Sequence, residues 1–316
     1  MLEKVFMLEL CEKSAVELRR MMGSKDISPV ELLEGCISRI EAVDGNLNAI
    51  VTRAFDQAIV QAKKAEEAIL AGGFLGFLHG LPVGIKDLET TSGIRTTFGS
   101  NIYKENIPSE DQSSVTKIKQ AGGIIIGKTN TPEFGAGANT RNFVFGATGN
   151  PFDPDKTCGG SSGGSAVALA TNMVPLASGS DYGGSLRTPA AFCGIVGFRP
   201  SAGLVASEQR PIGLLPFSVL GPMARNVDDV FLLLKAQAGS NPYDPFSLSG
   251  QKDLSLDLEM ADLSGKKVLI SKDLDGAPLS KKYKEIFCSR IELIKNNFSQ
   301  ADWGDPNFAE ADNCFE

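Results

Sequence analysis

A chain of 316 residues, 42% hydrophobic and 22% charged, has the composition of an ordinary globular protein and is long enough to bury a substantial α/β core. Its net charge of −7 argues against binding nucleic acid by phosphate neutralisation. No apolar run approaches the roughly 20 residues that a membrane-spanning helix needs.

The first seventy or so residues read as helices. Ser14 is placed to cap a short helix ending near Gly23, and Ser28-Pro29-Val30-Glu31 is a capping box with proline at the first helical position. Leu32, Leu33, Cys36, Ile37 and Ile40 follow as an apolar stripe at helical spacing. An alanine-rich helix from Phe55 to Leu70 stops at Gly72-Gly73. From Pro82 short apolar strands alternate with helices: strand Val83–Lys86, helix Ser113–Gln120, strand Ile124–Ile126, helix Gly164–Asn172, strand Val174–Ala177 and helix Leu186–Phe192. Asn226 caps a helix over Val227–Ala236, and strand Lys267–Ile270 precedes a helix over Lys281–Asn297. The alternation predicts an α/β fold, with a mixed central sheet covered by helices on both faces. With no repeat or compositional linker, the simplest organisation is one domain over 1–316, comprising an N-terminal helical segment, 1–72, and a core segment of alternating strands and helices, 80–235.

The six cysteines (Cys11, Cys36, Cys158, Cys193, Cys288 and Cys314) form no Cys-x-x-Cys pair, and His79 is the only histidine. A zinc site therefore has little support, and free thiols in a reducing compartment are expected. The amino-terminal Met-Leu-Glu-Lys-Val-Phe-Met-Leu-Glu-Leu carries acids inside a short apolar stretch and makes a poor secretion signal. A cytoplasmic protein with no cofactor is the expectation.

Three motif matches fail on context. Gly122 to Thr129 fits a phosphate-binding loop, but its interior is three isoleucines, which form a strand. Gly159-Gly-Ser161-Ser-Gly163 fits a hydrolase nucleophile elbow, yet no histidine follows it. Ser114-Val-Thr-Lys117 fits a Ser-x-x-Lys pattern on a polar helix face, and such short matches recur by chance.

Two serine-glycine clusters carry the chemistry. A serine nucleophile needs a base, and the single histidine lies far upstream, in Phe-Leu-His79-Gly. The alternative base is Lys86, at the end of Leu-Pro-Val-Gly-Ile. Taken alone, such a lysine reads as a solvated strand end, the first cluster as a flexible loop, and Ser185 as a cap for the helix from Leu186.

Taken together, Gly84-Ile-Lys86-Asp, Gly159-Gly-Ser161-Ser162-Gly-Gly and the run from Asp181 through Ser185-Leu-Arg187-Thr-Pro to Gly197 resemble the amidase signature family. Gly127-Lys-Thr-Asn-Thr-Pro-Glu133-Phe and Leu220-Gly-Pro-Met-Ala-Arg-Asn-Val-Asp support the match, which covers about Ser28 to Leu234. The resemblance implies a Lys–cis-Ser–Ser triad on Lys86, Ser161 and Ser185. Ser185 is then the nucleophile, Ser161 relays a proton after a cis peptide bond, and Lys86 is the base if burial keeps it neutral. The N–H groups of Tyr182, Gly183, Gly184 and Ser185 are implied as the oxyanion hole, Ser162 as a supporting donor, and Asp181 with Arg187 as a brace for the loop. Tyr182 either shapes the pocket or packs. The partner is a small-molecule amide, with no direct nucleic-acid or membrane partner and a homodimer left open. The family includes the A-type glutaminase component of glutamyl-tRNA amidotransferase. Arg187-Thr188 and Phe217-Ser-Val-Leu-Gly-Pro depart from that component's Arg-Gln and Leu-Asp-Gln-Ile-Gly-Pro, which favours a stand-alone amidase. A silent scaffold on the same fold is the third reading. The chain is shorter than the usual family domain, so a missing C-terminal part and weak activity of this chain alone are expected.

Overall fold

Local hydrogen bonds start the helices where the sequence predicts. The computed structural model describes residues 7–73, 75–210, 213–247, 258 and 260–308. The Ser14 hydroxyl accepts from the Glu17 N–H and opens α1 (Ala15–Ser24). In α2 (Pro29–Val43) the capping box closes both ways, Glu31 N–H to Ser28 Oγ at 3.1 Å and Ser28 N–H to Glu31 Oε2 at 2.7 Å. Strand β1 (Ile50–Arg53) precedes α3 (Phe55–Leu70), whose buried face is Ala58, Ala62, Ala65 and Ile69. The sequence pattern predicts no strand between α2 and α3. Four residues of which only Ile50 is buried carry too short a period to reveal β1.

Strand β2 (Pro82–Lys86), helix α4 (Ser113–Gln120) and strand β3 (Ile124–Thr129) follow, then the two-residue strands β4 (Arg141–Asn142) and β5 (Gly146–Ala147). β3 runs three residues past the predicted Ile126, because Lys128 and Thr129 are fully buried instead of leaving the sheet. Helix α5 (Gly163–Ala170) leads to β6 (Leu176–Asp181), which lies later than the predicted 174–177. Its last four residues, Ser-Gly-Ser-Asp, carry no apolar side chain to mark a strand, yet they are paired with β8 and largely buried. Helix α6 (Arg187–Cys193), strand β7 (Val196–Gly197), strand β8 (Val219–Ala224) and helix α7 (Val227–Gln237) complete this part, with Asn226 Oδ1 accepting from the Asp229 N–H at the start of α7.

The sheet has the order β1-β3-β2-β6-β8-β7. β3, β2 and β6 run parallel, while β1, β8 and β7 pair antiparallel with their neighbours, as a mixed sheet should. Helices α3, α5 and α7 pack on it. The parallel register aligns Lys86 with Thr129, so β2, β3 and β6 end at one edge, where open α/β sheets bind ligands.

Helix α5 is small because it must come close to the strands. A Cβ on Gly164 would lie 2.2 Å from the Asn130 nitrogen and 2.7 Å from the Ala49 carbonyl oxygen. Both obstacles are backbone, so neither can swing away. Gly164→Ala is expected to cost about 3 kcal/mol, the upper end of ordinary overpacking, read as a lower urea midpoint at unchanged slope.

The chain divides into two compact units, Met1–Leu256 and Asp257–Glu316, where the sequence suggested one domain. The second contains β9 (Lys267–Ile270), α8 (Lys281–Ile294) and β10 (Gln300–Trp303), with β9 and β10 parallel. Helix α8 stops before the predicted Asn297, the last three residues forming a 3-10 turn. No residue of α8 is buried.

Candidate active site

Lys86 closes β2 at the sheet's carboxyl edge, and Ile85 before it is fully buried. The lysine itself is 0% exposed. Burial is the main cause that lowers its pKa from 10.5 to about 7, against the opposing charges of Glu89 and Asp181. Its Nζ lies 2.7 Å from Ser161 Oγ, 2.8 Å from Ser162 Oγ and 2.9 Å from Ser180 Oγ. A neutral amine has two N–H donors and one lone pair for these contacts. The Ser162 hydroxyl donates to the Ser180 carbonyl at 3.2 Å, so toward Lys86 it can only accept. The lysine lone pair is therefore left to Ser161 or Ser180.

Ser161 and Ser162 join β5 to α5 in a buried turn, not a flexible loop, and the Gly160–Ser161 peptide bond is cis. Ser161, Ser180 and Ser185 line one cavity of about 400 Å³ together with Leu88, Phe134 and Tyr182. The Ser185 hydroxyl makes no hydrogen bond to a described residue, while its carbonyl accepts from the Ser162 N–H at 3.2 Å. The sequence allowed Ser185 to cap the next helix. Instead α6 begins at Arg187 with Leu186 before it and no side-chain cap.

Asp181 ends β6 with a side chain 0% exposed and organises the loop after it. Its carboxylate accepts from the Gly184 N–H at 2.8 Å, the Leu186 N–H at 3.1 Å, Arg187 Nε at 3.0 Å and Arg199 Nη1 at 3.1 Å. Burial opposes its charge, but Arg187 and the two N–H groups hold the carboxyl down at about 2. This corrects one expectation. The Gly184 N–H is already spent on Asp181 and is not free for an oxyanion, which leaves the N–H groups of Tyr182, Gly183 and Ser185 without an acceptor among the described residues. Tyr182 both lines the cavity and packs edge-on against Phe217, ring centres 5.8 Å apart.

The expected residues thus meet at one place: Lys86 with Ser161 and Ser162, and Ser185 with Tyr182 and Gly183 across the same cavity. Asp181 and Arg187 pair as the sequence leads one to expect. His79 stands apart, its Nε2 2.9 Å from the Ala65 carbonyl. Gly122 to Thr129 is strand and turn, with Lys128 fully buried. Sequence reasoning misses Ser178, Ser180, Glu89, Lys128 and Arg199. Ser178 and Ser180 do carry a signal, hydroxyls two apart on one strand and hence on one face. Among the described residues no cluster of three His, Cys, Asp or Glu could hold a metal ion, and no helix is long and apolar enough to cross a membrane.

The model of the amidase family matches residues 31–311. The chain belongs to the amidase family. Its similarity to curated members includes 41% identity over 275 residues to the A-type component of the glutamyl-tRNA(Gln) amidotransferase of Carboxydothermus hydrogenoformans, covering 85% of this chain and 56% of that protein. The corresponding protein of a Cyanothece species is 36% identical over 279 residues, 88% of this chain and 58% of its own length. This amidase-family chain therefore spans a little over half the length of the curated relatives it matches. Among solved structures it is similar to a bacterial aryl acylamidase of the amidase signature enzymes (TM-score 0.85, 32% identity, 93% of this chain and 61% of that one). An amidase family protein of Bacillus anthracis gives a TM-score of 0.84 at 27% identity, over 96% of this chain and 63% of its own. The fold of this amidase-family chain is thus the mixed α/β sheet with helices that its motifs implied.

Proposed function

We propose that the protein hydrolyses a carboxylic amide through an acyl-enzyme on Ser185. The observation that carries this is a buried lysine poised near neutrality, 2.7 Å from the hydroxyl of Ser161, beside the cavity that Ser161 shares with Ser185. Ser185 Oγ attacks the amide carbonyl, and its proton passes through Ser161 Oγ to Lys86 Nζ. The carbonyl oxygen, now anionic, is met by the free N–H groups of the Tyr182–Ser185 loop, each such donor contributing about 3–4 kcal/mol in a transition state. The same proton returns through Ser161 to the departing nitrogen, which leaves as ammonia or amine. Water then attacks the acyl group and gives a proton through Ser161 to Lys86; as the acyl–oxygen bond breaks and the acid leaves, that proton returns through Ser161 to Ser185 Oγ. Ser162 and Ser180 hold the lysine nitrogen in line.

A second reading, a glutaminase of the amidotransferase A type, is favoured by the names of the curated relatives. The cavity speaks against it. No charged side chain is among its described lining residues, and free glutamine would bring both an ammonium and a carboxylate needing partners. The expected substrate is an uncharged amide. The five described cysteines are free thiols, which supports a reducing, cytoplasmic setting.

A fluorophosphonate probe tests the central assignment. The wild-type chain should be labelled at Ser185, located by peptide mass spectrometry, and Ser185→Ala should lose the label while unfolding as a single transition. Labelling that persists in Ser185→Ala would remove Ser185 as the nucleophile, and a folded wild type that does not label would favour a silent scaffold.

A further inference from the structure

Behind Lys86 lies a closed patch of charge for which the mechanism above has no use. Asp87, Glu89 and Lys128 are each 0% exposed. The Glu89 carboxylate accepts from Ser114 Oγ at 2.7 Å and, in a short contact, from Ser178 Oγ. Ser178 Oγ in turn accepts the backbone N–H of Lys86 at 3.0 Å. A continuous path therefore runs from the buried carboxylate through one hydroxyl to the backbone of the lysine. On the other side Lys128 Nζ donates to the Glu89 carbonyl and to Thr91 Oγ1.

A carboxylate buried only to hold two hydroxyls is an expensive device, since burying it opposes its ionised form. Burial pushes the Glu89 carboxyl above its usual range, and the hydroxyls of Ser114 and Ser178 with the charges of Lys128 and Lys86 work against that shift in favour of the ionised form. We propose that Glu89 is a positioning residue for Lys86: it fixes the hydroxyl of Ser178 under the lysine backbone and, as an anion, keeps the lysine nitrogen basic enough to take a proton. The proposal rests on Lys86 being the base of the acyl transfer.

The need for such a group follows from the lysine's surroundings. Complete burial drives Lys86 toward the neutral form, and a lysine pushed too far is neutral but a weak proton acceptor. Negative charge nearby restores base strength. The charged groups that face this patch are Asp87 and Glu89 after β2, Lys128 on β3 and Asp181 on β6, the last already bound by Arg187 and Arg199. Asp111 and Lys119, from α4 and the loop before it, act on Lys128. Asp87 is occupied by the N–H and hydroxyl of Thr97. Glu89 is the anion whose hydrogen bonds lead to Lys86 itself.

The test is the pH dependence of fluorophosphonate labelling at Ser185, from about pH 5 to about pH 10, in the wild-type chain and in Glu89→Gln. The substitution keeps the size of the side chain and an oxygen acceptor while removing the charge. Loss of the anion makes protonated Lys86 less favourable, so the acid midpoint of labelling should fall by about one pH unit. A midpoint unchanged or raised, with Ser185 still labelled, overturns the role of Glu89 and leaves the triad standing. If Glu89→Gln does not fold, Ser178→Ala carries the test. It cuts the hydroxyl link, and the plateau labelling rate should drop about tenfold; an unchanged plateau overturns the proposal. A folded wild type with no label at Ser185 removes the reading on which the inference rests, and the inference with it.

Discussion

Lys86→Met should lower amide hydrolysis and Ser185 labelling about a thousandfold or more at about pH 8, because removing one member of a proton-transfer unit disables the whole of it. The same substitution should leave thermal stability equal to wild type or higher. Methionine fills much of the lysine's volume without a nitrogen to desolvate, and its neighbours Ser161, Ser162 and Ser180 are hydroxyls that lose one contact each. A loss of activity accompanied by a collapse of the melting temperature would instead make Lys86 a structural residue.

The pH profile separates the two roles further. Lys86 in the folded chain gives up its proton near 7, whereas in the unfolded chain it does so near 10.5. Below about 7 it is protonated in both states and cannot accept a proton from Ser161, so wild-type activity should rise with pH through a midpoint near 7. The sign for stability follows from the same values. Between about 10.5 and about 7 the unfolded chain holds the proton and the folded chain does not, so wild-type stability falls as pH falls through this window. Lys86→Met lacks this slope. Its advantage in melting temperature over wild type should therefore be larger at about pH 7 than at about pH 10.

What could be read from the sequence divides along local and non-local lines. The capping contacts of Ser14, Ser28 and Asn226 reach three residues ahead, and each is legible as a pattern of neighbours. Strand β8 is hidden because Gly221-Pro222 sits in its middle, a pair that ordinarily argues against a strand. Pro222 is tolerated opposite Ser178, and its carbonyl still accepts from the Phe198 N–H at 3.2 Å. Gly221 is required there, since a Cβ would meet the Phe198 carbonyl oxygen at 2.5 Å. The positions proposed here as a triad are legible through the resemblance of several ordered motifs, and the chain brings Lys86 to Ser161 across 75 residues. Glu89 is not, because nothing around Leu88-Glu89-Thr90 announces a partner 89 residues away in Ser178. The loop proposed to meet the oxyanion is half legible. Its glycines show where backbone can approach a ligand, but only the Asp181 carboxylate decides that Gly184 is held back from that task.

Asp181→Asn should cost about 2 kcal/mol of stability at neutral pH and lower acyl transfer about a hundredfold. The first figure follows from a carboxyl that titrates at 3.8 when unfolded and at about 2 in the folded chain. A depressed carboxyl contributes fully above the unfolded value and loses its contribution as pH falls through the folded one. The difference between wild type and Asp181→Asn in urea unfolding should therefore be full at about pH 6 and shrink progressively between about pH 4 and about pH 2. A gap that stays constant over that interval would mean that Asp181 acts through shape alone. The kinetic figure has a separate origin. One asparagine oxygen cannot accept Gly184, Leu186, Arg187 and Arg199 together, so the loop that carries Ser185 and its free N–H groups loses its anchor. A displacement of about 1 Å at reacting atoms is enough for a hundredfold loss. Because Asp181 also favours the protonated form of Lys86, its removal should move the acid midpoint of Ser185 labelling downward as well as lowering the plateau. A plateau that falls with a fixed midpoint would confine Asp181 to the loop and leave Glu89 as the group that sets the lysine's basicity.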